Sequence, residues 1–203
     1  MAPLLVAQIR SVVVRWRRTP MDDDLLGGDC SDDLGRPLDE LCGIIVARHH
    51  SYLHRALPLI GEELARLTEP DAAPARLLAD LRAAFADLAH QLQGHLAKEE
   101  NVLFPALEAL AMADREGGSR PALPFPTVLH PIRLMESEHA RIEITMERLR
   151  QVTRAFVAPE GASEGWRRCL SELSRLDADL REHHRVENEV LFPRALELER
   201  RLP

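Results

Sequence analysis

The pattern His-x-x-x-Glu-x-x-Val-Leu-Phe-Pro occurs twice in this chain, over His95–Pro105 and again over His183–Pro193, at an offset of 88 positions. The segments ahead of each copy repeat as well, because His50 precedes His95 by 45 positions and His139 precedes His183 by 44. One helical hairpin used twice satisfies this spacing, and two such hairpins side by side enclose a shared interior. The expected fold is therefore all-α, an up-down-up-down four-helix bundle with approximate two-fold symmetry. An aromatic content of only 4%, with abundant Ala, Leu, Glu and Arg, agrees with helix throughout.

Breakers divide the chain at Thr68–Pro74, Gly117–Pro131 and Val157–Gly165. The predicted helices run Pro37–Leu67, Ala75–Ala113, Pro131–Phe156 and Glu164–Arg201. Pro58, Pro105 and Pro193 fall inside these spans. Each removes a backbone donor, so a kink or a local stop is expected there. Residues 1–37 read as a poorly ordered N-terminal tail and residues 38–203 as the bundle.

Tracing each apolar stripe at steps of three and four reveals what interrupts it. The first helix reads Val46, His50, Leu53, Leu57, Ile60, and the second reads Leu88, Leu92, His95, Glu99, Val102. The third reads Ile132, Met135, His139, Ile142, Met146, and the fourth Leu176, Leu180, His183, Glu187, Val190. Six polar groups thus fall on buried faces, where each would cost roughly 1–3 kcal/mol without a partner, and more as a charged carboxylate. The two side chains of each His-x-x-x-Glu pair stand about 40° apart around the helix, so both can point at one centre. Imidazole and carboxylate without thiolate suit iron, manganese or zinc, and carboxylates able to bridge favour a two-metal site. An intrahelical contact would explain one His–Glu pair. It would not explain the duplicated Val-Leu-Phe-Pro tails, which read as core packing.

Neighbouring residues fit less well. His49 lies on a stripe that soon meets Glu63 and Arg66, so His50 is the better ligand. His184 shares a face with Asp177, Arg181 and Asn188 and reads as solvated or as a supporting residue. His54, one turn beyond His50, reads as a surface residue. Glu100, Glu136 and Glu138 read as surface or supporting carboxylates, and Cys169 as a small core hydrophobe.

Several stretches together carry a resemblance to the hemerythrin-like (HHE cation-binding) superfamily, and in particular to its repair-of-iron-centres group of di-iron proteins. They are His49-His50-Ser51-Tyr52-Leu53 with Leu57-Pro58, and His95-Leu96-Ala97-Lys98-Glu99-Glu100 running into Leu103-Phe104-Pro105. Met135-Glu136-Ser137-Glu138-His139 and His183 to Glu187, running into Leu191-Phe192-Pro193, complete the set. The resemblance implies two non-haem irons joined by a solvent-derived oxo/hydroxo bridge. His50, His95, His139 and His183 would be terminal ligands and Glu99 and Glu187 bridging carboxylates. It also implies a stress-response role, repairing or supplying iron to damaged iron-sulfur clusters or reacting with nitric oxide or oxygen species. The group's fuller form has an N-terminal module with a Cys-Cys-Gly-Gly type of motif, of which Gly27-Gly28-Asp29-Cys30 is only a superficial echo.

The alternative function is a module that reversibly binds or senses oxygen. Two histidines per iron, two bridging glutamates and one solvent bridge leave both irons a position short of six. A carrier would want one further histidine, for which only His54 offers itself. Ferritin-like chemistry would want Glu-x-x-His on two helices, and only Glu136-x-x-His139 has that spacing. A net charge of −7 leaves no basic surface for nucleic acid. No apolar run approaches the length of a membrane span, and three cysteines without C-x-x-C spacing fit a reducing cytoplasm.

Overall fold

The computed structural model describes residues 35–68 and 75–203, and every regular element among them is helical. The Gly27–Cys30 segment and nearly all of the expected tail lie outside the described residues. Among the described residues, seven α-helices make four rods. They are α1 (Leu38–Ile45), α2 (Ser51–Arg66), α3 (Ala75–Lys98), α4 (Phe104–Arg115), α5 (Leu129–Val152), α6 (Glu164–Val186) and α7 (Phe192–Arg201). Single π-helical turns, Val46–His50, Glu99–Leu103 and Glu187–Leu191, join α1 to α2, α3 to α4 and α6 to α7. The four-helix bundle expected from the repeat is the fold observed. None of the described helices is long and apolar enough to cross a membrane.

The π turns alter which residues face inward. Each inserts an extra residue into its rod, and the apolar stripe beyond it slips by one position. Val102, expected inside, is 43% exposed, and Leu103 at 1% takes its place. Likewise Leu191 is buried where Val190 was expected, and Ile45 where Val46 was expected. The same turns accommodate two of the three prolines. Pro105 and Pro193 stand in the first turns of α4 and α7, where a missing amide donor is tolerated. Pro58 remains inside α2.

The third rod begins at Leu129 and stops at Val152, short of the expected Phe156. Arg154, Ala155 and Phe156 follow with φ of 52°, 55° and 63°, left-handed backbone that costs non-glycine residues roughly 1 kcal/mol or more each. Thr153 anchors this turn, its hydroxyl donating to the Leu149 carbonyl at 2.7 Å and accepting from the Phe156 amide at 3.1 Å. The fourth rod starts at a capped end, where the Ser163 hydroxyl accepts from the Trp166 amide.

Long contacts cross between the two hairpins, with α3 along α5 and α2 along α6, while α1 packs on α4 within the first hairpin. Arg150 clasps Asp177 through Nε and Nη2, tying α5 to α6. Two separate apolar cores result. One gathers Leu53, Leu57, Leu88, Leu92, Ile142, Leu176 and Leu180. The other gathers Ile45, Leu103, Leu107, Ile132, Met135, Leu191 and Phe192. The histidines and glutamates that interrupt the stripes lie in the layer between these cores.

The end of α2 is held from α3. Arg82 donates through Nε to the Leu64 carbonyl at 2.9 Å and through Nη2 to the Leu67 carbonyl at 2.7 Å, satisfying acceptors that the end of α2 leaves open. Arg82→Ala is expected to lower the unfolding free energy by about 1–2 kcal/mol while leaving the polar layer intact. Urea unfolding checks this, and an unchanged midpoint would show that water replaces the guanidinium without loss.

Candidate metal centre

Each histidine of the layer is placed by a different rod: His50 ends the first π turn, His95 lies near the end of α3, His139 is mid-α5 and His183 is near the end of α6. Glu99 and Glu187 open the second and third π turns. His50, His95, His183, Glu99 and Glu187 are 0% exposed and His139 is 4% exposed. Every residue singled out for the centre therefore arrives in one buried layer.

The histidines pair across the hairpins rather than within them. His50 Nε2 lies 3.2 Å from His183 Nε2, and His139 Nε2 lies 3.0 Å from His95 Nε2. The glutamates span the two pairs. Glu99 turns Oε2 toward His50 and Oε1 toward His95, each at 3.4 Å. Glu187 turns Oε1 toward His183 at 3.0 Å and Oε2 toward His139 at 3.2 Å. Two four-residue groups result, His50/Glu99/His183/Glu187 and His95/Glu99/His139/Glu187, each with ligand atoms within 4.8 Å of one another. The two glutamates belong to both.

Protein alone does not satisfy this arrangement. Both oxygens of Glu99 and Oε2 of Glu187 are buried without a hydrogen-bond partner. Burial and the Glu187 charge push the Glu99 carboxyl up to about 8. At Glu187 the cost of burial is outweighed by His183 and His139, which hold its pKa low. Two carboxylates so close favour sharing one proton. Burial drives His95 down to about 4 and His183 to about 3, so their nitrogens offer lone pairs. Buried carboxylate oxygens facing imidazole lone pairs form a donor set suited to hard or borderline cations.

Comparison with known proteins agrees with this chemistry. The model of the Hemerythrin HHE cation binding domain matches residues 45–122 and 130–202. The chain belongs to the hemerythrin HHE family. An iron-sulfur cluster repair protein YtfE from Yersinia pseudotuberculosis serotype IB is 33% identical over 165 residues, covering 79% of this chain and 67% of the relative. The protein of the same name from Yersinia pestis strain Pestoides F is 32% identical with the same coverage.

Around this hemerythrin-type layer stand residues whose roles the sequence did not distinguish. His50 Nδ1 donates to Glu100 Oε1 at 3.0 Å, and His95 Nδ1 donates to Glu138 Oε2 at 3.2 Å. His139 Nδ1 donates to Asn188 Oδ1 at 3.0 Å. An acceptor on Nδ1 fixes the tautomer that aims a lone pair from Nε2 into the centre. Burial raises the His50 cost of charge, but the bond to Glu100 and the nearby Glu99 carboxylate outweigh it and lift its pKa to about 9. Exposed His54 donates to the same Glu100 oxygen and lies outside the six-residue layer. The signal for these supports was adjacency, since Glu100, Glu138 and Asn188 each sit next to a residue of the layer in sequence.

His49 and His184 are not surface residues. His49 is buried, bonds Asp179 Oδ1 through Nδ1 at 2.9 Å and stacks on His183 at 5.2 Å between centroids. His184 stacks on His139 at 4.0 Å, and its Nε2 is buried without a partner. Of the two readings of His184, solvated or supporting, the structure favours the supporting one: packing against the third rod covers its Nε2 edge. Cys169 lies in the core with its thiol pushed up to about 12 by burial, as a small hydrophobe would be placed.

Replacing Glu99 by Leu removes two orphaned oxygens from a buried layer. The metal-free Glu99→Leu protein is expected to be about 1–3 kcal/mol more stable than the metal-free parent, while losing its capacity for a pair of metal ions. Urea unfolding in chelator and metal analysis test both halves. A less stable variant would mean that the carboxylate holds the fold through protein contacts.

Proposed function

We propose that the chain is a di-iron protein that supplies iron to, or otherwise repairs, iron-sulfur clusters damaged by oxidative or nitrosative stress. His50 and His183 would hold one iron, His95 and His139 the other, with Glu99 and Glu187 bridging them and a solvent-derived oxo/hydroxo bridge completing the pair. The observation that carries the reading is that each glutamate turns one oxygen to each histidine pair. The similarity to proteins named for iron-sulfur cluster repair directs it to that process.

Ferrous ions held there would supply electrons, open coordination positions for nitric oxide or oxygen species, and exchangeable iron. The protein's own part is to turn Nε2 of three imidazoles toward the centre by holding their Nδ1–H on Glu100, Glu138 and Asn188, and to exclude water with the two flanking cores. Residues 38–203 would act as a single bundle in the reducing cytoplasm, where the buried thiols of Cys42 and Cys169 stay free.

One observation favours the second reading, reversible oxygen binding or sensing. From sequence only His54 offered itself as the further histidine, yet a nitrogen of His184 lies within 4.8 Å of the ligand atoms of His95 and His139. A third imidazole could saturate one iron and leave the other to bind oxygen.

Recombinant protein loaded anaerobically with ferrous iron is expected to carry two irons per chain, to react with nitric oxide, and to pass iron to an apo iron-sulfur protein. Retention of a single zinc with refusal of iron would overturn the di-iron reading. Stopped-flow mixing with oxygen followed by degassing separates the two functions. Repair predicts oxidation that degassing does not reverse, whereas recovery of the diferrous spectrum would transfer the assignment to oxygen binding.

A further inference from the structure

The two-fold repeat relates the two metal positions, so any residue that breaks it must make them differ. The repeat sets His50 opposite His139, His95 opposite His183 and Glu99 opposite Glu187, and these match in type. The residues around them do not. Glu138 corresponds to His49, Glu100 to Asn188, and His184 to Leu96.

Each break has a structural consequence. On the His95/His139 side both imidazoles are anchored at Nδ1, His95 by Glu138 and His139 by Asn188. Glu138 is itself held by Lys98 Nζ at 2.7 Å. His184 adds a third imidazole, stacked on His139 with a buried, unpartnered Nε2 and a nitrogen within reach of that pair, where the first hairpin has only the apolar Leu96. On the His50/His183 side only His50 is anchored, by Glu100. His49 occupies the place equivalent to Glu138, but it stacks face to face on His183 and bonds Asp179 instead. His183 Nδ1 is left buried with no partner. Stacking restrains the His183 ring but gives its Nδ1 proton no acceptor, so this imidazole is the weaker base.

We infer that the two positions are unequal, with the His50/His183 position releasing its ion first and the His95/His139 position retaining it. The inference rests on the di-iron reading and deepens it, because it assigns which iron is available for donation. Loss of an outer hydrogen-bond partner typically weakens metal affinity 10–100-fold, which sets the scale of the expected difference. A donor protein gains from this arrangement, since one ion can leave while the other keeps the four rods clamped around the layer.

The test is anaerobic release of ferrous iron from the loaded full chain into a chromophoric chelator, followed by absorbance. Two phases of one iron each are expected, with rates separated by about 10–100-fold. His50→Ala should abolish the fast phase and keep one slowly released iron, and His95→Ala should abolish the slow phase. His184→Leu and Asn188→Leu, which leave the six-residue layer intact, should each accelerate the slow phase and leave the fast one unchanged. Circular dichroism verifies that each variant remains helical. Two irons released in a single phase, or a fast phase that survives in His50→Ala, would overturn the inequality while leaving the paired centre standing. A parent protein that binds only one iron would instead overturn the di-iron reading itself.

Discussion

Six buried polar side chains in a layer between two apolar cores are the constraint on which this bundle is organised. Four imidazoles and two carboxylates cannot satisfy one another there, and several carboxylate oxygens are left without any protein donor. Leaving such groups buried is costly in proportion to their charge. Cations placed among them would convert that cost into cohesion between all four rods, consistent with membership of a cation-binding domain family. The apolar cores above and below the layer keep the dielectric low, which strengthens the hold on a cation and raises the penalty for its loss.

The π turns are the local device that makes this layer possible. An uninterrupted α-helix would carry the apolar stripe past the layer in a fixed register. Inserting one residue beside His50, Glu99 and Glu187 lets the polar group point inward and the next apolar residue still return to the core. The third rod, which contributes only His139, has no such turn. There His139 occupies an ordinary stripe position between Met135 and Ile142.

Symmetry and its defects divide the labour between fold and chemistry. The repeated core residues and the matched histidines and glutamates build two equivalent halves. The unmatched residues around them, Glu100 against Asn188, His49 against Glu138 and Leu96 against His184, sit beyond the layer where they leave the bundle's architecture unchanged. They act on the imidazoles from behind, by accepting a proton, stacking or offering a further nitrogen.

The sequence by itself determined the helical fold, the double hairpin and the six residues that interrupt its stripes, because helical period and repeat are local properties carried by side-chain type. It also located the neighbouring candidates without separating supports such as Glu100 and Glu138 from ordinary surface carboxylates. Only the tertiary structure decided the pairing of His50 with His183 and of His95 with His139, since partners from different hairpins are set by how the rods pack and not by their spacing along the chain. It likewise decided the fate of Val102, displaced by Leu103, because one extra residue in a π turn rotates everything beyond it and leaves no mark in the apolar period. The burial of His49 and of the Nε2 edge of His184 came from the same source: a residue at the margin of one helix's stripe is polar surface until a second helix covers it.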